Sequence, residues 1–107
     1  MVTFSGVMPA NILPFRADLT IDEPAYRKHL RWLADARGVT GIVANGHAAE
    51  VSSLSREERK RTLAIALDEV GAACPIVAGV YSDGTAEADT QPAATTASMS
   101  TAGRKLI

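Results

Sequence analysis

Six consecutive residues, Asn45-Gly46-His47-Ala48-Ala49-Glu50, place a glycine, an imidazole and small side chains directly after an apolar run. A glycine there lets the main chain turn tightly and come close to a ligand. An imidazole titrates near neutrality and can carry a proton. A second candidate, Tyr81, opens the turn Tyr81-Ser82-Asp83-Gly84-Thr85 after another apolar run, at the same edge. The His47 and Tyr81 loops together suit a small anion. Both side chains also have plainer readings, His47 as a loop residue that packs or faces water and Tyr81 as an aromatic lining its turn. For Tyr81 the plainer reading is the stronger.

The element that must position this stretch is a β/α unit. Val39-Thr40-Gly41-Ile42-Val43-Ala44 is apolar and β-branched, the pattern of a buried strand. Ser55 and Glu58 form an S-x-x-E capping box that opens a helix expected to reach about Val70. That helix buries Leu63, Ala66, Leu67 and Val70, keeps Arg56, Glu57, Lys60 and Arg61 outside, and stops at Gly71. Strand, glycine-bearing turn and capped helix make the edge at which α/β folds place their chemistry.

The flanks repeat the unit. A short strand is expected near Ala10–Leu13, between Pro9 and Pro14, followed by a loop at Arg16–Ile21. Asp22 is a good N-cap and Pro24 suits a first helical turn. Tyr26, Leu30, Leu33 and Ala34 then recur at helical spacing as far as Arg37, with Gly38 as the stop. Arg27, Lys28, Arg31 and Asp35 are expected to face water. A third strand is read at Pro75–Val80, with Thr85–Ala88 as the first turn of another helix. Strand starts roughly 30–36 residues apart suit right-handed crossovers and a parallel sheet. From Asp89 to Gly103 the chain turns to Thr, Ala, Ser, Gln and Pro, and a disordered low-complexity tail is expected. The organisation expected is therefore one α/β unit at 1–88 and a tail at 89–107. The abrupt shift suggests a truncation or a change of reading frame.

Composition narrows the function. The 107 residues include 47% hydrophobic side chains, enough for one small core. Eleven Lys+Arg against 12 Asp+Glu give a formal net charge of −1. No basic stripe with interleaved aromatics appears, so nucleic acid is not an expected partner. Cys74 is the single cysteine and reads as a small apolar filler. Met1 to Pro14 has neither a basic n-region nor a long apolar run, so no signal peptide and no membrane span are expected, and the cytoplasm is the expected location. Neither G-x-G-x-x-G nor G-x-x-x-x-G-K-[ST] is present. No cofactor and no metal are expected.

Taken in order, Gly6…Leu13-Pro14-Phe15, Ile21-Asp22…His29-Leu30-Arg31-Trp32-Leu33, Gly38-Val39-Thr40-Gly41-Ile42, Asn45-Gly46-His47-Ala48-Ala49-Glu50, Leu54-Ser55-Arg56-Glu57-Glu58-Arg59 and Pro75-Ile76-Val77-Ala78-Gly79-Val80 form a series. Over about residues 4–88 it resembles the N-terminal third of the dihydrodipicolinate synthase/N-acetylneuraminate lyase family. The resemblance implies a partial (β/α)8 barrel of about three βα units. It also implies class I aldolase chemistry, in which a lysine forms a Schiff base with pyruvate or a related 2-oxo acid and a tyrosine relays protons. Full-length members are expected to be homo-oligomeric.

In that family the loop after the second strand reads Gly-Thr-Thr-Gly-Glu and holds the substrate carboxylate. The resemblance therefore marks Gly46, His47 and Ala48 as substrate-binding positions, with Tyr81 beside them. His47 and Ala48 occupy the two threonine positions, so both hydroxyls are absent, and Leu13-Pro14 stands for the family's Thr-Pro. Main-chain N–H groups at His47 and Ala48 still suit a carboxylate, and His47 is the candidate proton relay. The Schiff-base lysine of the family comes from a sixth strand. The lysines here are Lys28 and Lys60 on polar helix faces and Lys105 in the tail, so the chain alone is expected to be inactive. Three parallel strands with open edges and one uncovered sheet face are expected to leave it aggregation-prone or partly folded alone. The alternatives are a non-catalytic partial barrel that pairs with another half-barrel or with family subunits, and an unrelated small α/β anion-binding domain.

Overall fold

A computed structural model describes residues 5–79 of the chain. Val80, Tyr81, the turn and helix expected at 81–88, the tail and Lys105 lie outside the described residues. Helix α1 spans Glu23–Asp35, strand β1 Ile42–Ala44, helix α2 Arg56–Val70 and strand β2 Ile76–Ala78. β1 and β2 pair in parallel, Ile42 opposite Ile76, Val43 opposite Val77 and Ala44 opposite Ala78. The α2 crossover between parallel neighbours is the β/α repeat expected from the spacing.

The first segment lies on the other side of β1 without becoming a regular strand. Two isolated parallel bridges hold it, Val7 to Val39 and Ala10 to Val43. Around the second, the Val43 N–H donates to the Pro9 carbonyl (2.9 Å) and the Asn11 N–H donates to the Val43 carbonyl (3.1 Å). The next rung would need an N–H at residue 9, and proline has none. The two bridges also lie three residues apart on one side and four on the other, so one residue is extra and the ladder cannot run through. The strand expected at Ala10–Leu13 is corrected to this interrupted segment.

Both helices start where their caps dictate. The Asp22 carboxylate accepts the Ala25 N–H at 3.2 Å, and Pro24 sits in the first turn of α1. In α2 the Ser55 hydroxyl accepts from the Glu58 N–H (3.1 Å), and the Glu58 carboxylate accepts from the Ser55 N–H (2.9 Å). That completes the capping box. Tyr26, Leu30 and Leu33 of α1 pack with Leu63, Ala66, Leu67 and Val70 of α2 over Ile42, Ala44 and Ile76. Leu30, Ile42 and Ile76 are 0% exposed, and each such side chain contributes about 1.5–3 kcal/mol by leaving water. The opposite sheet face carries the paired positions Val43 and Val77, which remain half-buried.

The basic side chains expected to be merely solvated are corrected in part. Arg27 bridges to Glu23 on its own helix (3.4 Å) and to Asp68 (2.9 Å) and Glu69 (3.0 Å) across on α2. Arg31 also pairs with Glu69, and Arg61 returns to Glu23 at 3.3 Å. Donation first from Arg31 and then from Arg27 holds the Glu69 carboxyl below its ordinary range. These pairs lace the outer sides of the two helices together. Lys28 and Asp35 are exposed as expected.

Candidate functional site

The stretch after β1 turns on Asn45, which adopts φ +56°. The sequence points to Gly46 for this role. Gly46 is instead extended, at φ −91° and ψ −175°. Asparagine tolerates the left-handed region because its short amide can bond locally. Here the amide bonds α2: Nδ2 donates to the Arg59 carbonyl (3.0 Å), and Oδ1 accepts from the Thr62 hydroxyl (2.9 Å). Asn45 is 6% and Thr62 2% exposed, so both polar groups are satisfied where an unpaired one would be costly.

Beyond Gly46 the chain makes two single 3-10 turns, His47–Ala49 and Val51–Ser53, joined by Glu50 at φ 57° and ψ 39°. The Ala49 N–H closes onto the Gly46 carbonyl (3.1 Å), and Glu50 onto His47 (3.0 Å). Ser53 closes onto Glu50 (2.9 Å) and Leu54 onto Val51 (3.2 Å). Ala49, Val51 and Leu54 are buried pegs. The Arg59 guanidinium donates through Nε to the Val51 carbonyl at 3.2 Å. The first turns of α2 thus hold the loop at both ends.

β2 closes the other side. The Gly79 N–H donates to the Ala44 carbonyl at 2.8 Å, and a Cβ on Gly79 would fall well inside contact with the Asn45 carbonyl. Only glycine permits this approach. Behind the loop, the Tyr26 hydroxyl donates to the Thr62 carbonyl at 3.2 Å. Burial raises the Tyr26 phenol, with Asn11 acting the other way through a side-chain hydrogen bond. A buried polar chain therefore runs from Tyr26 through Thr62 to Asn45.

Of the residues singled out by sequence, Gly46 is half-buried while His47 and Ala48 are exposed side by side on the outer turn. Tyr81 lies outside the described residues. Among the described residues, the N–H groups of His47 and Ala48 donate to no backbone carbonyl. The arrangement presents two main-chain donors and an imidazole at the C-terminal end of a parallel strand. Such a set can receive a carboxylate.

Asn45, Thr62 and Arg59 position the loop and were not legible as such. The one signal was the Asn45-Gly46 pair itself, since asparagine accepts a positive φ as its neighbour does. Among the described residues no group of three or more His, Cys, Asp or Glu is placed to hold a metal ion. No helix among them is long and apolar enough to cross a membrane.

Comparison with known proteins matches residues 3–103 to the dihydrodipicolinate synthetase family. The 4-hydroxy-tetrahydrodipicolinate synthase of Methanopyrus kandleri is 43% identical over 84 residues, covering 78% of this chain and 28% of that protein. A probable 5-dehydro-4-deoxyglucarate dehydratase of Saccharopolyspora erythraea is 40% identical over 74 residues, 69% of this chain and 24% of the relative. The crystal structure of a dihydrodipicolinate synthase from Bacillus anthracis superposes with a TM-score of 0.85 at 26% identity, over 92% of this chain and 33% of that one. The chain thus spans about 28% of the length of the curated relative from Methanopyrus. The α/β arrangement described above is a portion of the barrel of these neighbours. The chain belongs to the dihydrodipicolinate synthetase family.

Proposed function

We propose that this chain carries the carboxylate-binding part of a lyase or aldolase that works on pyruvate or a related 2-oxo acid through a Schiff base in the cytoplasm. The observation that supports this is the turn at Gly46–Ala49, whose exposed His47 and Ala48 have N–H groups that meet no backbone acceptor among the described residues at the end of β1. Those donors grip the substrate carboxylate, and they need no side-chain hydroxyl to do so. The His47 imidazole stands where the family carries a relay hydroxyl and takes over the proton transfer. In the Schiff-base step a lysine amine attacks the 2-oxo carbon and water leaves, giving an imine. That lysine must be desolvated to be a nucleophile near neutrality. Lys28 and Lys60 are exposed on helix faces and Lys105 lies outside the described residues; in this reading residues 1–107 by themselves bind the acid without capturing it.

Two measurements on the 107-residue chain test this. Titration with pyruvate should shift the amide resonances of residues 46–49 selectively, and their silence would overturn the carboxylate role. Borohydride reduction in the presence of pyruvate should leave the intact mass unchanged. A stoichiometric adduct on Lys28, Lys60 or Lys105 would overturn the assignment of the nucleophile to a lysine elsewhere. A second reading, a non-catalytic partial barrel that docks onto family subunits, is favoured by the half-buried Val43 and Val77 face. Co-purification with a full-length relative would support it.

A further inference from the structure

The interrupted first segment has an outer edge, and one residue stands on it. The Pro9 carbonyl and the Asn11 N–H both face β1. Alternation along an extended backbone turns the Ile12 N–H away from β1. There it donates to Nε2 of His29 on α1, at 3.1 Å. Ile12 is 55% exposed, so this N–H belongs to a strand edge of the kind that recruits other strands unless it is blocked. His29 also stacks on Trp32, ring centroids 6.2 Å apart at 25°, and Trp32 is itself 68% exposed.

We propose that His29 is a proton-gated guard of this edge: the neutral ring occupies the Ile12 N–H, and the protonated ring releases it. An imidazole accepts through Nε2 only while that nitrogen is bare, so the neutral ring must carry its hydrogen on Nδ1. Protonation turns Nε2 into a donor facing a donor. Among the described residues no charged partner acts on the ring, burial being the cause that shifts it. Residues 10–15 contribute no ionisable group, and the α1 neighbours a turn away are Ala25, Tyr26, Trp32 and Leu33. Of these Tyr26 is buried with its hydroxyl on the Thr62 carbonyl, and Lys28 is the adjacent charge in the chain. Burial, which lowers the His29 pKa, favours the guarding form.

The test is nuclear magnetic resonance on the 107-residue chain. Imidazole nitrogen shifts should show His29 as the Nδ1–H tautomer above its midpoint. Below it, protection of the Ile12 amide against hydrogen exchange should drop about fivefold, the ratio that one net hydrogen bond supports. The Asn11 amide, bonded to Val43, is the internal control and should keep its protection. Trp32, the single tryptophan, should lose fluorescence over the same pH interval as the stacked ring becomes cationic. In His29→Gln, whose amide oxygen accepts without titrating, Ile12 protection should no longer depend on pH. An Nε2–H tautomer in the wild-type chain would overturn the proposal even if the variant failed to fold. So would Ile12 protection that ignores His29 titration, or a glutamine variant that keeps the wild-type pH profile.

Discussion

Replacing Asn45 separates two effects that meet at one residue. Its amide makes two hydrogen bonds to α2, and its backbone sits at φ +56°. Asn45→Ala and Asn45→Gly both delete the amide. The Thr62 hydroxyl keeps its second partner, the Arg59 carbonyl at 3.0 Å, so neither group left behind is stranded. Each lost bond therefore costs the ordinary net amount, about 1 kcal/mol, or about 2 kcal/mol for the pair. Alanine must also hold the left-handed conformation, adding about 1–2 kcal/mol. Glycine adopts it freely and adds only about 0.5 kcal/mol, by loosening the unfolded chain. The alanine variant should thus lose about 3–4 kcal/mol and the glycine variant about 2.5 kcal/mol. Urea unfolding followed by far-ultraviolet circular dichroism gives both values. Repeating it over a range of protein concentrations separates unfolding from association. Equal midpoints for the two variants would refute the backbone argument. Losses under about 0.5 kcal/mol for both would refute the anchoring of the loop to α2.

Gly79→Ala should cost about 1–3 kcal/mol, because its Cβ must push the Asn45 carbonyl aside; an unchanged urea midpoint would show that β2 does not bear on the loop. Tyr26→Phe should cost about 1 kcal/mol through the lost bond to the Thr62 main-chain carbonyl, and an unchanged urea midpoint would refute the contribution of that bond. Acid should weaken the α1–α2 contact. Arg31 and Arg27 lower the Glu69 pKa in the fold, so its contribution is full above the ordinary value of 4.5 and is lost as pH falls through the lowered one. Arg27→Ala should flatten that limb of the stability–pH curve at low salt, and an undiminished acid limb would refute it.

Local signals in the chain carried much of this fold. The Asp22–Pro24 and Ser55–Glu58 patterns located both helix starts, because caps act within one turn of the residues that make them. The buried sets of α1 and α2 followed from periodicity for the same reason. What escaped was non-local or shared between neighbours. Arg27 and Arg31 read as solvated because their partners, Asp68 and Glu69, lie on another helix far along the chain. The first strand failed at a rung where Pro9 opposes β1, and a single run of residues does not reveal which partner it will meet. Asn45 hid beside a glycine that looked the better turn former. At the site, the position of His47 and Ala48 on an exposed turn was legible from strand, turn and helix order. The hold of Arg59 and Thr62 on that turn was not, since both read as ordinary members of a helix.

That hold divides labour along the loop in a way that bears on how its chemistry can change. Asn45, Ala49, Val51 and Leu54 look inward or bond α2, while the side chains at 47 and 48 are exposed. Substitution at the outer pair therefore leaves the frame standing, and a new functional group placed there inherits an orientation already set by its neighbours. Proteins that must fold and also diversify gain from such a separation, because a change of specificity need not pass through an unstable intermediate sequence. Residues 47 and 48 are accordingly the positions at which to exchange one reading head for another.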